Sequence, residues 1–235
     1  MDWFSIQSGA YTFAVHEDSE YGVNIIEFVS LQKQPYPCVK ITVSQYGANL
    51  EALNYYSSCS IRQKTLEKAD GTVTMLRVAI QYVFDKFVDL QEISVQDETH
   101  IEMDGKPLIT ASRLLEGKQG WYEEHFGAIP VGNTIGVVDY LRRNRHLFAN
   151  RIPNEPRTWW LPERVMRVSA DIRVPYSVIG TTWKILRTNA MESRITYNIV
   201  HLGGSIKVNL SKKATRISTK AKKLFLQRTQ GISAF

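Results

Sequence analysis

Apolar positions recur with two different periods along this chain. Over the first 60 residues they come in short runs rich in β-branched and aromatic side chains, at Tyr11–Val15, Val23–Leu31 and Cys38–Val43. Polar or proline-bearing stretches separate them, His16–Glu20 and Gln32–Pro37, the second containing Pro35-Tyr36-Pro37. Leu53–Ile61 reads as a further strand. Over 72–88 the period changes. Leu76, Ile80, Val83, Phe84 and Phe87 fall three or four residues apart, with Arg77, Gln81, Asp85 and Lys86 between them, which predicts an amphipathic helix. Asp70, Gly71 and Thr72 offer turn and capping chemistry at its start. Leu90–Val95 reverts to a strand pattern, so strand, helix and strand predict a parallel βαβ unit.

The later half is less regular. Leu108–Glu116 reads as a short helix ended by Gly117, and Gly127–Gly136 as loop and strand. Val137–Phe148 reads as a helix carrying Arg142, Arg143 and Arg145. Arg151–Pro162 is an irregular connector holding Trp159 and Trp160. Arg173–Leu186 and Ile195–Leu210 predict two or three β-segments, with a turn at Gly203-Gly204. Trp183, like the Trp159-Trp160 pair, suits either base stacking or a core anchor.

Length and composition narrow the class without choosing a function. The chain has 235 residues, 43% hydrophobic and 22% charged, enough for one sizeable core. No apolar run is long enough for a membrane-spanning helix, and the start lacks the charge and apolar pattern of a secretory signal. The two cysteines, Cys38 and Cys59, are too few for a disulfide framework and read as small buried hydrophobes of a reducing compartment. The five histidines are scattered, and no Cys/His cluster has zinc spacing, so no metal is expected. The net charge of +6 is uneven. Residues 193–235 hold nine Lys or Arg and no acid, a segment suited to polyanions or acidic partners if it is more than a solvated tail.

The stretch 59–127 carries the chemistry. Amides at a helix N-terminus point outward and, with the helix dipole, favour phosphate. Glycine at 71 permits close approach, and Lys68 adds a positive charge. Downstream lies Gly120-Trp121-Tyr122-Glu123-Glu124-His125-Phe126-Gly127, whose tyrosine is a candidate proton donor. Asp97 and Glu98, followed by His100, sit just past a predicted strand end, where open α/β sheets face ligands. Glu123, Glu124 and His125 read as a polar face.

These parts, in this order, resemble the GNAT superfamily of acetyl-CoA-dependent N-acetyltransferases, and more narrowly the GNAT-like proteins of large nucleocytoplasmic DNA viruses. The segments carrying the resemblance are Cys59-Ser60-Ile61, Asp70 to Leu76, Ile93 to Asp97, and Gly120 to Pro130, within a stretch of about 70 residues of the 235. The resemblance implies an α+β fold with a mixed twisted sheet flanked by helices over residues 1–150. A β-rich extension over 151–210 and a basic tail over 211–235 would follow. It implies acetyl-CoA with its pyrophosphate on Lys68, Asp70, Gly71, Thr72 and Val73, where Val73 stands in place of the family's second small residue. It makes Tyr122 the acid toward the departing thiolate, and Asp97 or Glu98 the base toward a protein amine. The alternative is a non-catalytic minor capsid or other virion protein that keeps the fold as scaffold and binds other virion proteins. A nucleic-acid-binding accessory role through the tail is a third reading. Any of these places the protein in the host-cell cytoplasm, at the virus factory, or in the virion.

Overall fold

The computed structural model describes residues 2–32, 34–61, 64–97, 113–114, 117–149 and 181–200. These build an α+β fold around one mixed nine-stranded sheet. Its strands are β1 (Asp2–Ser8), β2 (Tyr11–Glu20), β3 (Val23–Val29), β4 (Val39–Ser44), β5 (Gly47–Leu53), β6 (Glu92–Asp97), β7 (Ile129–Pro130), β8 (Thr181–Leu186) and β9 (Asn198–Val200). The order across the sheet is β7-β8-β6-β5-β4-β3-β2-β1-β9. β1 to β5 form an antiparallel meander, and β5 then pairs with β6 in parallel. Helix α1 (Asp70–Lys86) makes the connection between β5 and β6 that a parallel pair requires. Helices α2 (Trp121–Phe126), α3 (Asn133–Ala149) and α4 (Arg187–Glu192) follow.

The predicted change of period holds: α1 lies where the 3.6-residue pattern placed a helix, and its apolar side is buried from Met75 to Phe84. It packs on the alternating inward residues of the strands, among them Ile6, Phe13, Val15, Ile26, Phe28, Ile41, Leu50, Ile93 and Val95. Trp183 on β8 is fully buried in the same core, which decides between its two readings.

Several boundaries differ from the sequence reading, for physical reasons. β1 lies outside the runs read as strands, and its alternation is broken by Ser5 and Ser8, which are buried because their hydroxyls donate to the carbonyls of Val200 and Thr196. The polar run His16–Glu20 is the end of β2 and not a separator, because its side chains pair across strands or with α1. His16 Nδ1 lies 3.4 Å from Glu27, and Glu17 accepts from Tyr82 and Lys86. Leu53–Ile61 is not a strand. The strand before α1 is β5, and 57–59 form a single 3₁₀ turn. Ser60 then makes one bridge to Phe13. The helix read from Val137 begins at Asn133, and Trp121–Phe126 is helical. Of Leu108–Glu116 only Arg113 and Leu114 are described, both helical; the Trp159-Trp160 pair and the tail 211–235 lie outside the described residues.

The cysteines correct a second expectation. Cys38 and Cys59 are both buried, as expected, but bonded to each other, their Cα atoms 6.0 Å apart. The meander returns the chain to the start of β4 after 21 residues, which spacing in sequence could not show. A closed loop of that length contributes about 3 kcal/mol by restricting the unfolded chain.

Residues 181–200 are integral to the sheet. β8 inserts between β6 and β7, and β9 adds to the far edge beside β1. Between them α4 and residues 193–197 strap across α1. The Gln81 amide donates to the Ile195 carbonyl and accepts from the Ile195 amide, both at 2.9 Å. Asp85 accepts from Tyr197 at 2.8 Å and pairs with Arg194 at 3.3 Å. Arg187 caps the end of α1 through the carbonyls of Phe87 and Leu90. Among the described residues no helix is long and apolar enough to cross a membrane.

Gln81 is 2% exposed, so truncating it leaves two backbone groups of the strap without partners in a dry setting. Gln81→Ala is expected to lower stability by about 2 kcal/mol in urea unfolding, with m unchanged.

Candidate functional site

The site begins with a break in register. On β4, Lys40 opposes Ala52 and Ile41 opposes Leu50, so Glu51 has no partner residue and bulges. A bulge bends its strand and raises the local twist. The parallel ladder ends at the same place: Ala48, Asn49 and Leu50 pair with Ile93, Ser94 and Val95, and nothing beyond pairs. The remaining ends, Glu51–Leu53 and Gln96–Asp97, diverge. They wall a cavity of about 940 Å³, together with Asn54, Tyr36, Thr182, Trp121 and Tyr122. Backbone groups along the diverging edges are free of the β5–β6 ladder.

Asp97 enters the site by simple alternation. Ile93, Val95 and Asp97 share the buried face of β6, so the last of them places a carboxylate where the first two place methyl groups. α2 brings Tyr122 to the same wall. This helix is short but held at both ends. The Gly120 amide donates to the Glu123 carboxylate at 3.1 Å, and Arg142 of α3 holds that carboxylate from the other side. At its C-terminus Gly127 adopts φ +59° and donates to the Glu123 carbonyl at 2.9 Å. A side chain at 127 would also strike Asn189, whose amide donates to the Gly127 carbonyl.

Trp121, Tyr122 and Phe126 pack against one another, with Trp121 and Tyr122 edge to face at 5.0 Å, and Trp121 and Tyr122 also pack on the core. Burial raises the Tyr122 hydroxyl well above its ordinary value of 10.0, and the nearby charge of Asp97 raises it further. Tyr122 is half-buried and shares the cavity wall with Asp97. His125 is lowered, chiefly by burial. Glu123 and Glu124 are structural: the first braces α2, the second pairs with Arg113.

The cleft thus brings together Tyr122 and Asp97. Glu98 lies outside the described residues. The residues read as a phosphate cradle are not in the cavity wall. Lys68 and Asp70 are exposed, while Gly71 and Thr72 are buried. Thr72 does not cap the helix. Its hydroxyl donates to the Lys68 carbonyl at 2.6 Å, and the position before the helix is Ala69, which has no capping side chain. Val73 is half-buried and packs on the core. Gly71 makes a close contact of its own: a Cβ there would lie 3.0 Å from Leu66 Cδ1 and 3.3 Å from the Tyr11 hydroxyl.

Sequence reading missed Tyr36, Asn49, Glu51 and Asn54 as cavity residues. The signal for Tyr36 was the Pro-Tyr-Pro string, already read as a turn; nothing local marks a bulge at Glu51. No protein family, curated protein or solved structure matches this chain.

Three tyrosines should reveal their surroundings on titration. Tyr82 and Tyr197 are raised by burial and by hydrogen bonds to Glu17 and Asp85, and Tyr122 by burial and Asp97. A raised value in the folded state means that their contribution to stability is complete below pH 10 and lost as pH climbs above it. Absorbance at 295 nm is expected to show these three among the last tyrosines to ionise as the protein is carried into alkali. Tyr122→Phe should remove one tyrosine from this late-ionising group.

Proposed function

We propose that the cleft between β5 and β6 binds the acyl arm of an acyl-thioester, and that the protein is a GNAT-like N-acetyltransferase with acetyl-CoA as donor. The single observation that carries this reading is the parting of two parallel strands at Leu50 and Val95, over a cavity walled by Tyr122 and Asp97. An extended chain bearing amides can use the backbone groups that the parted edges leave over. The order of elements supports the same reading: an antiparallel meander, a parallel βαβ unit, then β8 inserted between β6 and β7.

The roles follow from the two side chains. Tyr122 stays protonated across the physiological range, so it is suited to donate its proton to the sulfur as the carbon–sulfur bond breaks. Asp97 is suited to accept the proton that the attacking nitrogen sheds as the carbon–nitrogen bond forms. The fit is uneven along the donor. The cleft suits the arm, whereas the glycine face proposed for the diphosphate is packed by Leu66 and Tyr11, and the Asp70 carboxylate sits at the first turn of α1. An acid there already complements the helix dipole and repels phosphate.

That packing favours a second reading, a non-catalytic structural or interaction protein of a large DNA virus in which the same cleft is a remnant. The part of the basic segment 193–235 that lies beyond the strap and β9 would then supply the partner contacts.

Titration calorimetry with acetyl-CoA and with S-acetyl-pantetheine, followed by thiol release with a panel of amines, separates the two. The acyltransferase reading expects both donors to bind with affinities within about tenfold, since the diphosphate gains little at a packed loop. It expects Tyr122→Phe to lower kcat by about 100-fold with donor affinity unchanged. Absence of binding by either donor would leave the scaffold reading.

A further inference from the structure

The mouth of the cleft is held by a covalent bond at the open end of a hairpin. β4 and β5 form that hairpin, and its open end consists of Tyr36–Cys38 before β4 and Asn54–Cys59 after β5. β5 leaves its parallel neighbour at Glu51, so beyond that point it lacks the support of the β6 ladder. Other ties replace it. The Asn54 amide donates to the Cys38 carbonyl at 2.7 Å, and the Asn54 side chain donates to the Pro37 carbonyl at 2.8 Å. The Cys38 amide donates to the Phe28 carbonyl at 2.7 Å, fixing the segment to β3. Behind these bonds the Cys38–Cys59 disulfide joins both sides of the open end inside the core.

Two residues carried by this clamp line the cavity, Asn54 and Tyr36. Tyr36 is 64% exposed although it belongs to the wall, and it stands between Pro35 and Pro37, whose rings fix the backbone on either side. This large aromatic side chain is held mostly in solvent at the cavity mouth and does not belong to the core cluster. It presents a face to whatever enters.

We propose that Cys38 and Cys59 are positioning residues for the cleft: their bond fixes Tyr36 and Asn54 at its mouth, Tyr36 contacts the bound molecule, and donor binding depends on the bond being intact. This rests on the acyl-donor reading for the identity of the occupant. Breaking the bond by a dithiol reductant adds two electrons and two protons to the sulfurs, leaving two thiols and the reductant's own disulfide. The clamp would then rest on its hydrogen bonds alone.

The test compares the oxidised full chain with Cys38→Ala/Cys59→Ala, with the volume-keeping pair Cys38→Val/Cys59→Ala, and with Tyr36→Ala and Tyr36→Phe. Acetyl-CoA affinity and backbone hydrogen exchange are both measured. Loss of the bond is expected to weaken acetyl-CoA binding about tenfold, as preorganisation is lost. It should also speed exchange at the Cys38 and Asn54 amides while β2 and β3 stay protected. Tyr36→Ala should weaken binding without changing exchange, and Tyr36→Phe should restore it. Unchanged affinity in the cysteine variants, with the wild type binding, overturns the proposal and leaves the acyl-donor reading standing. If the wild type does not bind acetyl-CoA, that reading fails, and exchange alone decides. Local loss at Cys38 and Asn54 then supports the clamp, and unchanged exchange overturns it. Loss of protection throughout β2 and β3 also overturns it, since the bond is then a general staple of the fold.

Discussion

One unpaired residue organises this molecule. Glu51 has no register partner in the ladder with β4, although its carboxylate reaches Thr42 and Lys40 there, and its strand parts from β6 one residue after their last shared rung. A parallel pair that stayed in register would seal the middle of the sheet, with hydrogen bonds along both edges and no room between them. Because it does not, the centre of a nine-stranded sheet contains a cleft. Everything built around that cleft either lines it or compensates for the missing rungs. The disulfide and the Asn54 bonds steady one lip. On the other, Asp97 still opposes Thr181 of β8, so β6 keeps a neighbour where it loses β5.

The helix layer has a matching logic. α1 covers the core side of the sheet and is itself strapped by residues 187–197 on their way from β8 to β9. That crossing ties the two halves of the sheet through one helix, so the position of α1 depends on the far end of the chain. α2 contributes six residues, too few to be stable alone, and persists because Glu123, Arg142 and Gly127 fix its ends while its aromatic side chains pack on one another and on the core. The tyrosine beside Asp97 thus stands on a short element whose geometry is imposed from both sides.

The cavity holds a phenol and a carboxylate in its wall, while the glycine contact at the start of α1 is filled by the chain's own Leu66 and Tyr11. Gly71 lies on the helix that joins the two parting strands, but outside the cavity wall. An opening between two strands can therefore be kept while the loop before the helix is filled by local packing, because the first depends on strand register and the second on side chains that meet at the loop.

How much was legible in the sequence depended on the range of the interaction. Periodicity located α1, since three- and four-residue spacing is set within one helix, and it located most of the meander, since each strand needs only its own alternation and a nearby turn. It also placed Asp97 at a strand end and Tyr122 in a distinctive string. The structure alone showed that the strand before α1 is β5 and not Leu53–Ile61, that Gly71 is packed, and that the two cysteines are joined. Each of these depends on residues far apart in the chain meeting at one point: Leu66 and Tyr11 at Gly71, Cys38 at Cys59, Lys40 and Ala52 on either side of a bulge. The chain by itself determined which elements form, because propensity and period are local. Where the sheet opens was decided only by tertiary pairing, because a register shift is a property of two strands and is written in neither one.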